Sequence, residues 1–125
     1  MKDFKKLLVW QKGIELAVMC YALTKKLPEF VSFGLISQIN RAAISIPLNI
    51  SEGNSWINDK DNRRFLEIAL GSANELETLV ILLGELEPVS NKIVKNTLLC
   101  IREKQRLLCS FIKILQNQDK PTVRS

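Results

Sequence analysis

Apolar residues recur every three or four positions along most of the chain, and no stretch alternates between apolar and polar residues. The clearest case follows Gly34, where the apolar positions are Leu35, Ile39, Ala42 and Ile46. This spacing places the side chains on one side of an α-helix, whereas a half-buried strand would need a period of two. The chain is therefore predicted to be all-α.

Prolines, glycines and capping residues divide this pattern into four helices. The predicted helices span Leu7 to Leu27, Gly34 to Gly53, Asn58 or Asp59 to Leu86, and Ser90 to the start of a polar tail near Gln116. Short loops force neighbouring helices to run antiparallel. The prediction is an antiparallel up-down four-helix bundle over residues 1–117, followed by a polar tail over residues 118–125.

Three local features of these helices carry further expectations. In the first helix, the core side is predicted to hold Leu7, Trp10, Ile14, Ala17 or Val18, and Tyr21. Pro47 is expected to bend the second helix without ending it, and Gly53 to cap its C-terminus. Small residues in the third helix predict close approach by another helix, and they are Ala69, Gly71, Ser72 and Ala73.

A polar face runs beside the apolar face of the second helix. Its members, spaced by three or four, are Gln38, Arg41, Ser45, Asn49 and Glu52. One interpretation is a hydrogen-bonded packing or subunit contact, in which Asn and Ser side chains satisfy the carbonyl freed by Pro47. The other is a ligand surface with Arg41 as the phosphate contact. We favour the first, because a nearly neutral stripe binds phosphate poorly.

The composition narrows the class of protein. The 125 residues carry a formal charge of +5, which favours anionic partners such as RNA or DNA. No apolar run reaches the 18 residues needed to span a bilayer, and the N-terminus does not resemble a signal peptide, so a cytoplasmic location is expected. Three cysteines in apolar stretches indicate reduced, buried thiols, and they are Cys20, Cys100 and Cys109.

Histidine is absent from the sequence. This excludes Ser-His-Asp triads, Cys-His pairs, His-bearing zinc sites and helical ribonucleases that need an Arg-His pair. We therefore expect a protein that is not an enzyme and that carries no metal or cofactor. An alternative is a magnesium-dependent nuclease using Asp59, Asp61 and Glu67, but acidic residues near a helix start are explained by capping and the helix dipole.

Charge is segregated along the chain. Residues 65–87 hold five acidic and no basic side chains, whereas residues 88–125 hold eight basic and two acidic ones. At about 100° per residue, five basic residues of the fourth helix share one sector opposite its apolar face. We call them the basic ridge, and they are Lys92, Lys95, Arg102, Arg106 and Lys113. The ridge is either a phosphate-binding surface or a solvated helix face.

Two further expectations concern association. Lys104 projects into the apolar sector of the fourth helix, so it is predicted to pair with Glu75, within one subunit or between subunits. Apolar side chains also extend beyond a single core-facing stripe, as Ile93, Leu107 and Ile114 do in the fourth helix. A bundle of this size would leave some of them exposed, which predicts self-association.

The sequence resembles bacterial four-helix-bundle proteins encoded in intervening sequences of 23S ribosomal RNA genes, and the related accessory variability determinant proteins of diversity-generating retroelements. The segments that carry the resemblance are Val9 to Lys12, Gly34 to Ala43, Ser45 to Pro47, Asn49 to Gly53, Phe65 to Ser72 and Glu75 to Thr78. The resemblance implies a homopentameric ring. In the retroelement branch it also implies binding of nucleic acid and of a reverse transcriptase.

The leading hypothesis is thus a non-enzymatic, homopentameric accessory protein that binds RNA or DNA through its basic ridge. Further candidate contacts are Lys12, Arg63, Arg64 and, on the polar face, Arg41. The alternative is a homo-oligomeric scaffold for a reverse transcriptase or another protein. Trp10 is expected to anchor the core. Trp56 either packs against a helix end or stacks on a base.

Overall fold

The computed structural model describes residues 3–54 and 59–119. These ranges contain a short 3-10 helix over Phe4–Lys6 and four α-helices. The α-helices are α1 over Leu8–Lys26, α2 over Phe33–Asn54, α3 over Asp59–Leu86 and α4 over Asn91–Asp119. The described ranges contain no strand, which confirms the all-α prediction. Trp56 lies outside them, and so do residues 120–125 of the predicted tail.

The four helices form one bundle around a single core. Each helix contacts the next along the chain, and α1 also contacts α4. Every helix contributes at least one fully buried side chain, as shown by Leu16, Ile39, Leu76 and Ile101. None of the described helices is long and apolar enough to cross a membrane.

The face of α1 that packs on the core differs from the predicted one. Ile14, Val18 and Tyr21 are exposed, with 38%, 64% and 42% of their surfaces accessible. The buried side holds Leu16 among mostly smaller residues, which are Val9, Gly13, Ala17, Cys20 and Thr24, so Ala17 is the core residue of the two predicted alternatives. Small residues fit this side because α2 approaches it closely. A Cβ on Gly13 would lie 3.5 Å from the Pro47 Cα atom. The large apolar residues of α1 therefore form a second face.

Trp10 fulfils its predicted role as an anchor. Its half-buried ring packs against the core cluster. It also meets the ring of Phe4 edge-to-face, with 5.3 Å between centroids. Such pairs favour the edge-to-face arrangement because of the ring quadrupoles. The contact fastens the N-terminal 3-10 helix to α1.

Helix α2 continues through Pro47 to Asn54, so the proline does not end it. Whether Pro47 bends the axis stays a prediction. The role expected for Gly53 is wrong, because this residue lies inside the helix and the described glycines have no positive φ. Gly53 is needed for packing instead: a Cβ there would lie 2.7 Å from the Cβ atom of Phe65 and 2.9 Å from Oδ1 of Asn62.

The small residues of α3 divide between two faces. Ala69, Ser72 and Ala73 are buried, which agrees with the predicted close approach of another helix. Gly71 is exposed, and a Cβ there would meet no atom within 4 Å. A second narrow contact occurs further along, where a Cβ on Gly84 would lie 3.2 Å from the Cγ1 atom of Val94 on α4.

The predicted pair between Lys104 and Glu75 is wrong within the chain. Lys104 is buried as expected, with 9% of its surface accessible, but its Nζ lies 3.4 Å from Oε1 of Glu103. One helical turn before Lys104, Cys100 lines a groove against α1. Glu75 lines a cleft against α2. The two side chains therefore leave the bundle on different sides, and a pair between subunits stays a prediction.

Candidate nucleic-acid interface

The five residues of the basic ridge lie along the outer side of α4. Ser90 occupies the N-cap position, since its carbonyl accepts the backbone N–H of Val94 at 3.2 Å. From there the buried positions recur at helical spacing, and they are Thr97, Ile101, Lys104, Leu108, Ile112 and Leu115. The ridge residues occupy the opposite sector, and all five are exposed. Packing of the apolar stripe thus orients the cations toward solvent.

One ridge residue is bound to the neighbouring helix. The Arg102 Nε–H donates to Oε2 of Glu77 on α3 at 2.8 Å. Gln105 Nε2 donates to the other oxygen of Glu77 at 3.1 Å, and also to Oδ1 of Asn74 at 3.1 Å. The hydrogen bond from Arg102, and secondarily the one from Gln105, holds the pKa of the Glu77 carboxyl below its usual range. We call this group the α3–α4 clasp.

The clasp neutralises the acidic residue that lies closest to the ridge along the seam of α3 and α4. The other four ridge cations have no carboxylate of the described residues within ion-pair distance; they are Lys92, Lys95, Arg106 and Lys113. At 1.5 Å rise per residue, Lys92 and Lys113 are about 32 Å apart along the axis. The structure therefore brings four cations without a described carboxylate partner onto one face of α4.

The candidate cations outside α4 are scattered over the other helices. Lys12 pairs with Glu15 at 3.3 Å on α1, and Arg63 pairs with Glu67 at 3.6 Å on α3. Arg64 is exposed on α3. Since ion pairs reduce the charge offered to a phosphate, Lys12 and Arg63 are weaker candidates than the ridge.

Arg41 lies at a small polar cleft between α2 and α3. The cleft has a volume of about 270 Å³. At its floor, the hydroxyl groups of Ser45 and Ser72 are 2.7 Å apart. Asn49 Nδ2 donates to the Ser45 carbonyl at 2.8 Å and to its hydroxyl at 3.0 Å. The cleft is also lined by Glu75, which places a carboxylate beside Arg41 and makes phosphate binding there unfavourable.

These contacts agree with the packing interpretation of the polar face. Ser45 joins α2 to α3 directly through the hydroxyl of Ser72. One detail of that interpretation is wrong. Pro47 has no N–H, so the carbonyl that loses its helical donor is that of Ala43, four residues before the proline. Asn49 instead donates to the carbonyl of Ser45. The network holds α2 and α3 in register, but it does not replace the hydrogen bond that Pro47 removes.

The nuclease alternative would need metal-binding side chains grouped together. The described residues contain no group of three or more acidic, cysteine or histidine side chains that would hold a metal ion. Among the three acidic residues of the nuclease alternative, Glu67 pairs with Arg63. The side chain of Asp59 lies outside the described residues.

Sequence reasoning expected exposed apolar side chains but missed that α1 contributes to them, in one face shared with α2. Val18 contributes from α1, and Phe33 and Leu48 contribute from α2 with 83% and 60% of their surfaces accessible. Tyr21 and Phe33 line one shallow depression with Ile44, which shows that the two helices form a continuous surface. The sequence of α1 contained a signal for this face, because apolar residues lie on two sides of the helix and one of those sides consists mostly of small residues.

The sequence profile described as 23S rRNA-intervening sequence protein matches residues 5–110 of the chain. The chain belongs to this family. A similar crystal structure is that of a protein of unknown function from the S23 ribosomal protein family of Bacteroides thetaiotaomicron. It shares 33% sequence identity, with a TM-score of 0.78 over 85% of this chain and 99% of that one. Among curated proteins, none matches the chain.

The region shared with the 23S rRNA-intervening sequence protein family covers most of the candidate interface. Eight of the nine candidate cations fall within residues 5–110, and Lys113 lies just beyond. The family description names the gene location of its members and no biochemical activity. A function for this intervening sequence protein must therefore be argued from its surface.

Proposed function

We propose that this intervening sequence protein is a non-enzymatic accessory factor that binds the backbone of RNA or DNA through the basic ridge of α4. The observation that carries the proposal is a row of exposed cations with no carboxylate partner in the part of the chain that the structure describes, at Lys92, Lys95, Arg106 and Lys113. Phosphate contacts by such residues dominate non-specific affinity for nucleic acids. The proposal includes the cytoplasmic location that the sequence predicts.

The distribution of acidic residues supports this assignment. Carboxylates beside a phosphate-binding surface would repel the ligand, and α3 carries six acidic residues. Glu77, at the seam with α4, is neutralised by Arg102. Glu75 lies in the cleft on the α2 side. The α3 carboxylates that these contacts locate are thus either compensated or turned away from the ridge.

The test is a comparison of two triple variants that lose the same charge. In the ridge variant, Lys95, Arg106 and Lys113 are changed to alanine. In the control variant, three exposed lysines of other regions are changed to alanine, and they are Lys5, Lys25 and Lys60. Binding to a fluorescent 24-nucleotide RNA and to a 24-base-pair DNA is measured by anisotropy near 0.1 M salt.

Loss of three phosphate contacts is expected to weaken binding on the order of 100-fold at this salt concentration. The control variant should retain wild-type affinity within a few-fold, because its ridge is intact although it carries the same net charge as the ridge variant. Equal losses in both variants would show that net charge, and not the ridge, determines binding. Circular dichroism confirms that both variants remain helical.

We also propose that the protein self-associates, and the family resemblance favours a pentamer. The exposed apolar face of α1 and α2 supports association with another protein surface, since apolar patches of this kind on soluble proteins mark interfaces. A second copy is the occupant we favour, because the family resemblance implies a homo-oligomeric ring, and copies of one chain can then cover one another's apolar faces.

A scaffold for a reverse transcriptase or another protein is the second candidate function, and the same apolar face supports it. Light scattering distinguishes the two occupants. If copies cover the face, Val18→Ser combined with Phe33→Ser should lower the mass toward that of one chain. If the wild type is already a single chain at micromolar concentration, self-association is wrong and the face is left for a different protein.

A further inference from the structure

We infer that the basic ridge binds double-stranded nucleic acid in preference to single strands. This inference rests on the proposed function and names the substrate class of the same surface. It follows from three properties of α4 and its surroundings: the absence of stacking groups, the spacing of the cations, and the rigidity given by the α3–α4 clasp.

The ridge offers phosphate contacts without stacking contacts. Proteins that bind single strands combine a basic groove with exposed aromatic rings, on which bases stack. The aromatic residue of α4, Phe111, is half-buried against the core. The exposed aromatic residues of the described ranges lie on other elements, and they are Tyr21, Phe30 and Phe33. A single strand on the ridge would thus gain charge contacts only.

Charge contacts alone favour the duplex. Duplex DNA carries one charge per about 1.7 Å of axis, and each neutralised phosphate contributes about 0.9 to the salt exponent, against about 0.7 for a single strand. Four free cations per subunit therefore give exponents of about 3.6 and 2.8. A flexible strand must also be ordered on the protein, which costs conformational entropy that a duplex has already lost.

The spacing of the cations fits a rigid ligand. Lys92 and Lys95 form one group and Arg106 and Lys113 a second, and the axial gap between the groups is about 16 Å. The B-DNA major groove is about 12 Å wide, and flanking phosphates stand at its edges. The two groups are thus placed to reach the two strands beside one groove.

The clasp keeps this spacing fixed. Between the two groups, Arg102 and Gln105 both bind Glu77, so the middle of α4 is fastened to α3. A fastened helix presents its cations without a further ordering cost, which is an advantage only if the ligand is also stiff. Phosphate contacts of this kind carry no base code, so the binding should not depend on sequence.

The test compares four probes on wild-type protein at 50 mM salt: a 24-base-pair RNA duplex, the DNA duplex of the same sequence, and an unstructured 24-nucleotide single strand of each sugar type. The inference predicts that both duplexes bind at least about tenfold more tightly than the single strands. Equal or tighter binding of single strands overturns it and leaves the proposed function standing. A preference for one duplex identifies RNA or DNA as the source of the phosphate backbone.

Two variants complete the test. The triple ridge variant should lose the preference for duplexes, whereas Phe30→Ala, which removes an exposed aromatic ring between α1 and α2, should leave duplex affinity unchanged. If Phe30→Ala instead weakens single-strand binding on a protein that prefers single strands, stacking outside α4 is the binding mode and the inference is wrong. Binding of no probe overturns both the inference and the proposed function.

Discussion

Glu77 of α3 accepts a hydrogen bond from Arg102 of α4 at 2.8 Å, and this contact divides the basic ridge into a bound residue and four free ones. The pair stabilises the seam between two helices and removes an acidic charge from the neighbourhood of the ridge. It therefore links the stability of the bundle to the electrostatics of the surface that we propose binds nucleic acid.

The clasp predicts a pH-dependent stability. Because the pKa of Glu77 is lowered in the folded protein, its contribution is fully present above the usual pKa of about 4.3 and is lost as the pH falls through the lowered value. Glu77→Gln should cost about 0.5–1 kcal/mol at pH 7. The difference from wild type should disappear once the pH falls below the lowered pKa of Glu77. Urea unfolding at pH 7 and through an acid series measures it, and a difference independent of pH would contradict the assignment.

The same substitution predicts a gain in binding. Without the carboxylate, Arg102 becomes available to phosphate and the ridge loses an acidic neighbour. Affinity for a 24-base-pair duplex should rise several-fold at 0.1 M salt. The matched control is Glu15→Gln on α1, whose partner Lys12 lies away from the ridge. A similar rise in both variants would indicate an effect of net charge alone.

Two glycine substitutions should have opposite effects on stability. Gly53→Ala places a Cβ 2.7 Å from the Cβ atom of Phe65, so it should destabilise the protein by about 1–3 kcal/mol although alanine favours helices. Gly71→Ala meets no atom within 4 Å and should stabilise an isolated chain by about 0.5–1 kcal/mol. Thermal unfolding measures both. A loss of assembly mass in Gly71→Ala would place that face in a subunit contact.

The hydroxyl pair between α2 and α3 can be tested with a double-mutant cycle. Ser45→Ala and Ser72→Ala should each cost about 1 kcal/mol, because each leaves a polar partner in a partly buried site. The double variant should cost less than the sum, by about 0.5–1 kcal/mol of coupling energy. Additive losses in urea unfolding would show that the two hydroxyl groups do not interact.

Much of the fold was predictable from sequence, because the helices are long and their ends are marked. The pattern placed α1 and α2 within one residue of the observed limits, and it placed the ridge of α4 on an exposed face. The core face of α1 was not predictable in the same way. Size and hydrophobicity favoured Ile14 and Val18, whereas the close approach of α2 at Gly13 decided the packing.

The sequence also did not predict which side chains contact each other between helices. Lys104 was correctly predicted to be buried, but its partner depends on which side of the bundle each residue faces. The role of Gly53 could not be distinguished from a helix cap without the position of Phe65. The pairing of Glu77 with Arg102 needed the register of α3 against α4, which periodicity alone does not determine.

Cysteine reactivity tests the orientation of α1 and α4 directly. Burial raises the pKa of the Cys20 thiol to about 12, with the nearby Cys100 adding to the shift, so Cys20 should not react at neutral pH in the folded protein. Cys109 is exposed, so the burial predicted for it was wrong, and it should react quickly. Half-buried Cys100 should react more slowly. Timed labelling with a maleimide, read by mass spectrometry of peptides, gives the order. Early labelling of Cys20 would contradict the packing described for α1.

The most direct test of the central claim is the salt dependence of binding by wild-type protein to a 24-base-pair duplex between 50 and 300 mM salt. If four free ridge cations contact phosphate, the logarithm of the association constant should fall with the logarithm of salt concentration at a slope of about −3 to −4 per subunit engaged. The ridge variant should then show a slope smaller in magnitude by about 2–3. A slope near zero, or one that the ridge substitutions leave unchanged, would contradict the assignment of α4 as the nucleic-acid interface.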